Sequence, residues 1–303
     1  MNKRNIWIYL TLVFITSFAL QYGIYLKGGI ESSVFRWMAQ ILMWIPGLLA
    51  IGMRIVTKEG FKNAGLRIGK LKYYPLAIFL PVLITFFYMF ISLALGLSSY
   101  NSELINFKGG SVNFGKGIGM ILGTGSQTLV YFILNFIVTM IFGSVFAGIL
   151  TMGEELGWRS YLLPKMTYNF GLVKGIVLTG LIWGYWHFPI ILMGYNFPQY
   201  PVLGAFILMP FSTVCLGTIS SFLYFKSESL FPAVLFHSSV NLSIGLVEAL
   251  LLAKNLSLDL LHWFLWAVFA LGFLLILMKR PESRLALDYR NNSQQMEGIK
   301  QIA

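Results

Sequence analysis

Eight stretches of this chain, 6–26, 37–55, 75–97, 127–163, 172–193, 202–225, 230–252 and 260–278, are apolar over about 20 residues or more, the length a helix needs to cross a hydrocarbon core of about 30 Å. A backbone in that solvent must satisfy its own hydrogen bonds, so each stretch reads as a helix. With 57% of 303 residues apolar and 11% charged, the apolar surface exceeds what one water-soluble core could hide. The reading is an all-α, polytopic membrane protein of about eight transmembrane helices. No internal repeat or soluble domain is evident. Residues 1–303 read as a single transmembrane domain. The stretch 6–26 follows Lys3 and Arg4 as a signal peptide would, but no small-residue cleavage site ends it, so it is kept as a span. The single cysteine, Cys215, lies in an apolar run and reads as packing.

The net charge of +11 does not point to nucleic acid, because the basic residues sit in short loops beside apolar runs, where they set orientation and meet anionic lipid. With both termini cytoplasmic, only Lys27, Arg36, Lys108, Lys116 and Lys254 of the 22 Lys and Arg fall outside. The segment 58–74, basic with Phe61, Leu66, Ile68 and Leu71 interspersed, reads as lying on the cytoplasmic leaflet.

Charge inside the spans carries the functional signal. In "GEELGWRSYLLP", 153–164, two glutamates follow an uncharged apolar run. A charged side chain at mid-bilayer costs about 2.5–3.5 kcal/mol, so it needs a partner or a function. Glu155 and Arg159 are four apart and share a helix face; Glu154 is five from Arg159, points elsewhere and is left over. A solvated, charged helix end is the plain alternative. "GLIWGYWHFPI", 180–190, places His187 in the fifth span, and "LFHSSVNLSIG", 235–245, places His237 and Asn241 on one face of the seventh. At 1.5 Å per residue, Glu154 lies about 15 Å from a cytoplasmic end at Pro164, and His187, His237 and Asn241 about 22, 10 and 17 Å up their own spans. Tilt can bring all four into one slab of the membrane. His262 reads as an interfacial ring, and Glu248 lies near the outer boundary, away from the site.

"EELGWR" resembles the EExxxR motif of the CPBP intramembrane endopeptidases, which include type II CAAX prenyl proteases and bacterial Abi and bacteriocin-immunity proteins. "WGYWH" is similar to the second motif of that family, with Trp183 where Phe is usual, and "HSSVN" to the third, HxxxN. The resemblance covers 154–241 and implies a catalytic core at 127–253. It implies peptide-bond hydrolysis by glutamate-activated water at a site open to the cytoplasm. Glu154 would then be the general base, His187 would help hold the water, and His237 with Asn241 would stabilise the oxyanion. Glu155 and Arg159 would neutralise charge and fix the helix turn, and Trp183 would line the cavity. The chemistry agrees: a partly desolvated carboxylate suits proton abstraction from water, and imidazole or amide N–H groups suit an oxyanion. No cofactor is expected. The alternatives are a zinc metalloprotease using the same residues, although no HExxH is present, a non-catalytic immunity or scaffold protein, and a transporter. Expected partners are a peptide or membrane-protein substrate and membrane lipids, with no nucleic acid, in a bacterial plasma membrane.

The charge asymmetry makes a topology prediction. A cysteine replacing Tyr195, in the charge-free loop 194–201, is labelled from outside in a Cys215→Ser background; labelling only from the cytoplasmic side would overturn the orientation.

Overall fold

The computed structural model describes residues 3–115 and 125–279. Lys116, the start of the Gly-rich stretch 122–127 and the basic tail after Lys279 lie outside them. The chain is helical almost throughout: α1 (Lys3–Leu26), α2 (Phe35–Val56), α3 (Tyr73–Ala94), α4 (Leu129–Glu155), α5 (Leu163–Phe170), α6 (Leu172–Trp186), α7 (Phe188–Leu192), α8 (Pro201–Leu203), α9 (Met209–Ser227), α10 (Phe231–Leu250) and α11 (Leu256–Lys279). Wide π-helical turns at Leu156–Leu162 and Gly204–Leu208 join α4 to α5 and α8 to α9. Among the described residues seven helical runs are long and apolar enough to span a membrane.

The fifth expected span, 172–193, is interrupted. α6 stops after 15 residues, His187 caps it, and α7 follows. Pro189 contributes to the break, because it has no N–H to give the carbonyl one turn back. The fourth span departs in the other direction. It continues through the π turn to Phe170, 42 residues in all, or about 63 Å, roughly twice the hydrocarbon thickness. Pro164 does not end it, since a proline in the first turn of α5 removes an N–H that needs no helical partner.

The described residues fall into two compact units. The first contains residues up to Tyr73, Ile149–Val234 and the part of α11 from Trp266. Its helices approach closely at glycines: a methyl group on Gly153 would strike the α2 backbone at Met43 and Trp44, and one on Gly180 or Gly184 would strike α9 at Val214 or Pro210. Small residues permit this contact where lipid gives no hydrophobic drive for helices to associate. The second unit contains 74–148 and 235–265. Ile78, Val82 and Met140 form one of its clusters, Tyr88, Val247, Leu251, Leu258 and Leu265 another. It also contains a three-stranded antiparallel sheet, β1 (Ile105–Lys108), β2 (Ser111–Phe114) and β3 (Ser126–Thr128), for which the polar stretch 98–126 gave no signal. Ile105 and Val112 of the sheet bury against Leu250.

Two expectations about polar residues need correction. His262 is not an interfacial ring: it is buried, stacked on Tyr88 with centroids 4.5 Å apart. Arg54 and Lys165, counted as loop charges facing lipid headgroups, are also buried. Arg54 donates to the carbonyls of Gly60 and Ser160 and to Asn63 Oδ1, at 2.9, 2.7 and 3.0 Å. Lys165 Nζ binds both carboxylate oxygens of Glu59, at 2.7 and 2.9 Å, and lies over the Tyr161 ring. The segment 58–74, read as lying on the cytoplasmic leaflet, runs in turns up to the start of α3 at Tyr73. Its turns dock on the chain reversal after α9, through Arg67 Nε to the Glu228 carbonyl, Lys70 Nζ to the Glu228 carboxylate, and Leu230 N–H to the Gly65 carbonyl. Phe61, Leu66, Ile68 and Leu71 do remain exposed.

The Glu59 carboxylate lies between Arg54 and Lys165. Replacing it by Gln leaves two buried cations facing each other, and costs about 3 kcal/mol. The double replacement Glu59→Gln, Lys165→Met removes the excess charge and recovers a large share of that loss. Thermal melting in detergent reads both; equal melting of the single and double variants would show that the pair contributes nothing.

Candidate active site

α4 ends at Glu154 and Glu155, and the chain widens at once into the π turn Leu156–Leu162, all of whose residues are buried. π turns cost regular hydrogen bonding and recur at functional sites. Here the turn is held from outside, since Arg54 of α2 donates to the Ser160 carbonyl and Tyr9 of α1 packs on Tyr161 with centroids 4.6 Å apart. Gly157 lies so close to Pro46 and Tyr9 that a side chain there would displace them.

Within this frame Glu155 and Arg159 form a fully buried ion pair, Oε2 to Nε 3.1 Å, as their spacing predicted. Glu154 is 3% exposed, and it is not left over. The indole Nε1–H of Trp183 donates to Glu154 Oε2 at 2.7 Å. The Arg159 guanidinium lies over the same indole at 4.2 Å from the ring centroid, a cation–π contact strengthened by exclusion of water. The edge of Trp183 thus holds one carboxylate and its face holds the cation paired with the other. A phenylalanine here would keep the face and lose the N–H, so the aromatic-for-aromatic difference concerns chemistry as well as pocket shape.

His187 follows Trp183 by one helical turn. Its backbone N–H bonds the Gly184 carbonyl, three residues back, as the helix tightens to its end. The Trp183 carbonyl receives the ring instead, with Nδ1 at 2.9 Å. A carbonyl only accepts, so Nδ1 carries the proton and Nε2 of the neutral ring carries the lone pair. Trp186 stands edge-on to the imidazole at 4.6 Å and packs in turn on Trp158 at 5.8 Å.

Five of the seven residues singled out in the sequence, Glu154, Glu155, Arg159, Trp183 and His187, therefore stand connected in the first unit. His237 and Asn241 stand in the second, one turn apart on α10, His237 buried and Asn241 exposed. Two supports escaped the sequence reading. Arg54 resembled any basic helix end, and only its apolar flanks hinted at burial; Ser160 acts through its carbonyl, which no side-chain pattern reports. Among the described residues no three of His, Cys, Asp and Glu gather as a ligand set for a metal ion.

Residues 121–243 match the family model described as Type II CAAX prenyl endopeptidase Rce1-like. A protein of Methanococcus maripaludis named CAAX prenyl protease 2 is 32% identical over 95 residues, which is 30% of this chain. The chain thus covers 35% of the length of that curated relative. The matched segment spans all three motifs. In that segment the chain is similar to the type II CAAX prenyl endopeptidases.

Proposed function

We propose that this protein is an intramembrane glutamic endopeptidase, in which Glu154 takes a proton from water and the resulting hydroxide attacks a peptide carbonyl. The observation that carries the reading is the buried Trp183–Glu154 hydrogen bond beside an imidazole of fixed tautomer. Trp183 holds Oε2, and Oε1 is assigned to the water proton. His187, protonated at Nδ1, turns Nε2 toward the same water as an acceptor and orients it for attack. Glu155 and Arg159 neutralise each other, and the cation over Trp183 steadies the indole. His237 and Asn241 are assigned to the oxyanion, where N–H donors placed in advance stabilise charge as it develops. The proton held by Glu154 then passes to the leaving amine, which restores the carboxylate.

The name of the Methanococcus maripaludis relative makes a prenylated C-terminal CAAX peptide the first substrate to try. The charge distribution supports both termini, and a site open, on the cytoplasmic side; a bacterial plasma membrane is the location we propose. No metal takes part in this proposal.

Purified protein in detergent, given prenylated and unprenylated peptides, tests these assignments. Glu154→Gln keeps an oxygen to accept from Trp183, so it folds as the parent does and loses at least about 100-fold in kcat. Glu155→Gln or Arg159→Gln leaves a buried charge unpaired and lowers the melting temperature more than Glu154→Gln does. Trp183→Phe retains the fold and loses about tenfold in kcat, the scale of one charge-assisted hydrogen bond. Activity survives prolonged o-phenanthroline treatment, without stoichiometric zinc. Near-equimolar zinc that disappears in His187→Ala, with activity restored by added metal, would replace the glutamic mechanism by a metalloprotease. Failure of every folded preparation to cleave any peptide would favour a non-catalytic role.

A further inference from the structure

Two polar side chains on α1, outside the segment matched by the family model, are wholly buried in the first unit. Ser17 and Gln21 are each 0% exposed and are four residues apart, hence on one face. A buried carboxamide in a membrane-spanning helix is costly unless both its ends find partners. Gln21 finds both at the interruption between α6 and α7: Nε2 donates to the Trp186 carbonyl at 3.0 Å, and Oε1 accepts from the Ile190 N–H at 2.9 Å. Trp186 and Ile190 are the pair that bond each other in an uninterrupted helix. The Gln21 carboxamide occupies the place of that bond, as a wedge in the ladder. Ser17 Oγ accepts from the Trp186 indole N–H at 2.7 Å, so the same face of α1 also fixes the ring that stands edge-on to His187.

We propose that Gln21 is a positioning residue for His187: by holding the helix open between Trp186 and Ile190, it keeps the imidazole bonded through Nδ1 to the Trp183 carbonyl and presents Nε2 to the reaction. The wedge lies next to His187 in the chain, and opening the ladder lets the helix tighten so that the His187 backbone bonds Gly184 and leaves the Trp183 carbonyl to the ring. Pro189 lacks a donor and would permit a kink unaided. It cannot determine how far the ladder opens, whereas a carboxamide with one donor and one acceptor engaged can. The consequence for catalysis rests on the reading that His187 orients the attacking water.

The test uses full-length protein in detergent, with kcat and KM on a cleaved peptide and 15N-histidine NMR of the ring nitrogens, His187 being assigned by its loss in His187→Gln. In the parent, His187 shows the Nδ1–H tautomer. Gln21→Leu lets the Trp186–Ile190 bond close; kcat falls about 10- to 100-fold, the cost of misplacing a catalytic group by an ångström or so, KM changes less than about twofold, and the Nδ1–H signature shifts. Gln21→Glu supplies both a donor and an acceptor only while its carboxyl is protonated. The ratio of its kcat to the parent's therefore falls as pH rises, a dependence that loss of packing does not produce. Parent kcat and an unchanged His187 tautomer in Gln21→Leu would overturn the proposal. So would a flat pH ratio for Gln21→Glu, which also decides the matter should Gln21→Leu fail to fold. Retention of activity by His187→Gln would instead sink the proposed mechanism, while the NMR comparison still decides whether Gln21 holds the imidazole.

Discussion

A carboxylate removed from water must be held by something, and the arrangement of the first unit depends on the indole N–H that holds Glu154. Trp183 touches both ends of the EExxxR motif, Glu154 through its edge and Arg159 through its face. That double contact requires α6 to lie close to the π turn, and the close contact of α6 with α9 through Gly180 and Gly184 supports it from behind. A tyrosine or histidine at 183 could donate a hydrogen bond, but neither offers a donor and so broad a face at this separation. The Trp183–Glu154 bond therefore explains why a membrane helix carries a tryptophan with its nitrogen turned inward, away from the lipid–water interface where such rings usually settle.

Two departures from regular helix in the first unit lie beside the same residues. The π turn begins directly after Glu155, and α6 ends directly before His187. A regular helix consumes every carbonyl and N–H internally and has none to lend. Both irregularities release backbone groups, and both sets are taken up by side chains from earlier helices: Ser160 O by Arg54, Trp186 O and Ile190 N by Gln21. In a hydrocarbon surrounding, such groups could not be left to solvent. The first two helices thus pay for two breaks that the motif-bearing helices need.

Much of this was legible in the sequence. Apolar runs gave the helices, because a bilayer imposes one length scale on all of them, and i, i+4 spacing gave the Glu155–Arg159 pair. What failed to show depended on contacts distant in sequence. Nothing in the spacing of Glu154 names Trp183, 29 residues away, and a count of basic residues cannot tell Arg54 and Lys165, buried and paired with protein, from lysines that meet headgroups. The sheet escaped because its strands are three or four residues long and lie in a polar stretch without sustained alternation. The interruption at His187 was partly announced by Pro189. Gln21, a single polar letter in an apolar run, carried the remaining information in a place where the motifs gave no reason to look.

The imidazole tautomer shows how far such remote constraints reach. His187 is half-buried and lies beside two indoles, surroundings that by themselves do not choose between Nδ1–H and Nε2–H. The choice comes from one carbonyl, that of Trp183, which accepts from Nδ1 because the backbone N–H of His187 has turned to Gly184. Trp183 therefore acts on both proposed partners of the water, on Glu154 through its side chain and on His187 through its backbone. A substitution at 183 that kept the helix would change the first contact and spare the second, so the base and the imidazole can be perturbed separately although one residue joins them. That separation follows from a side chain and a carbonyl pointing in different directions from the same Cα, and it gives the two groups independent supports within a single turn of helix.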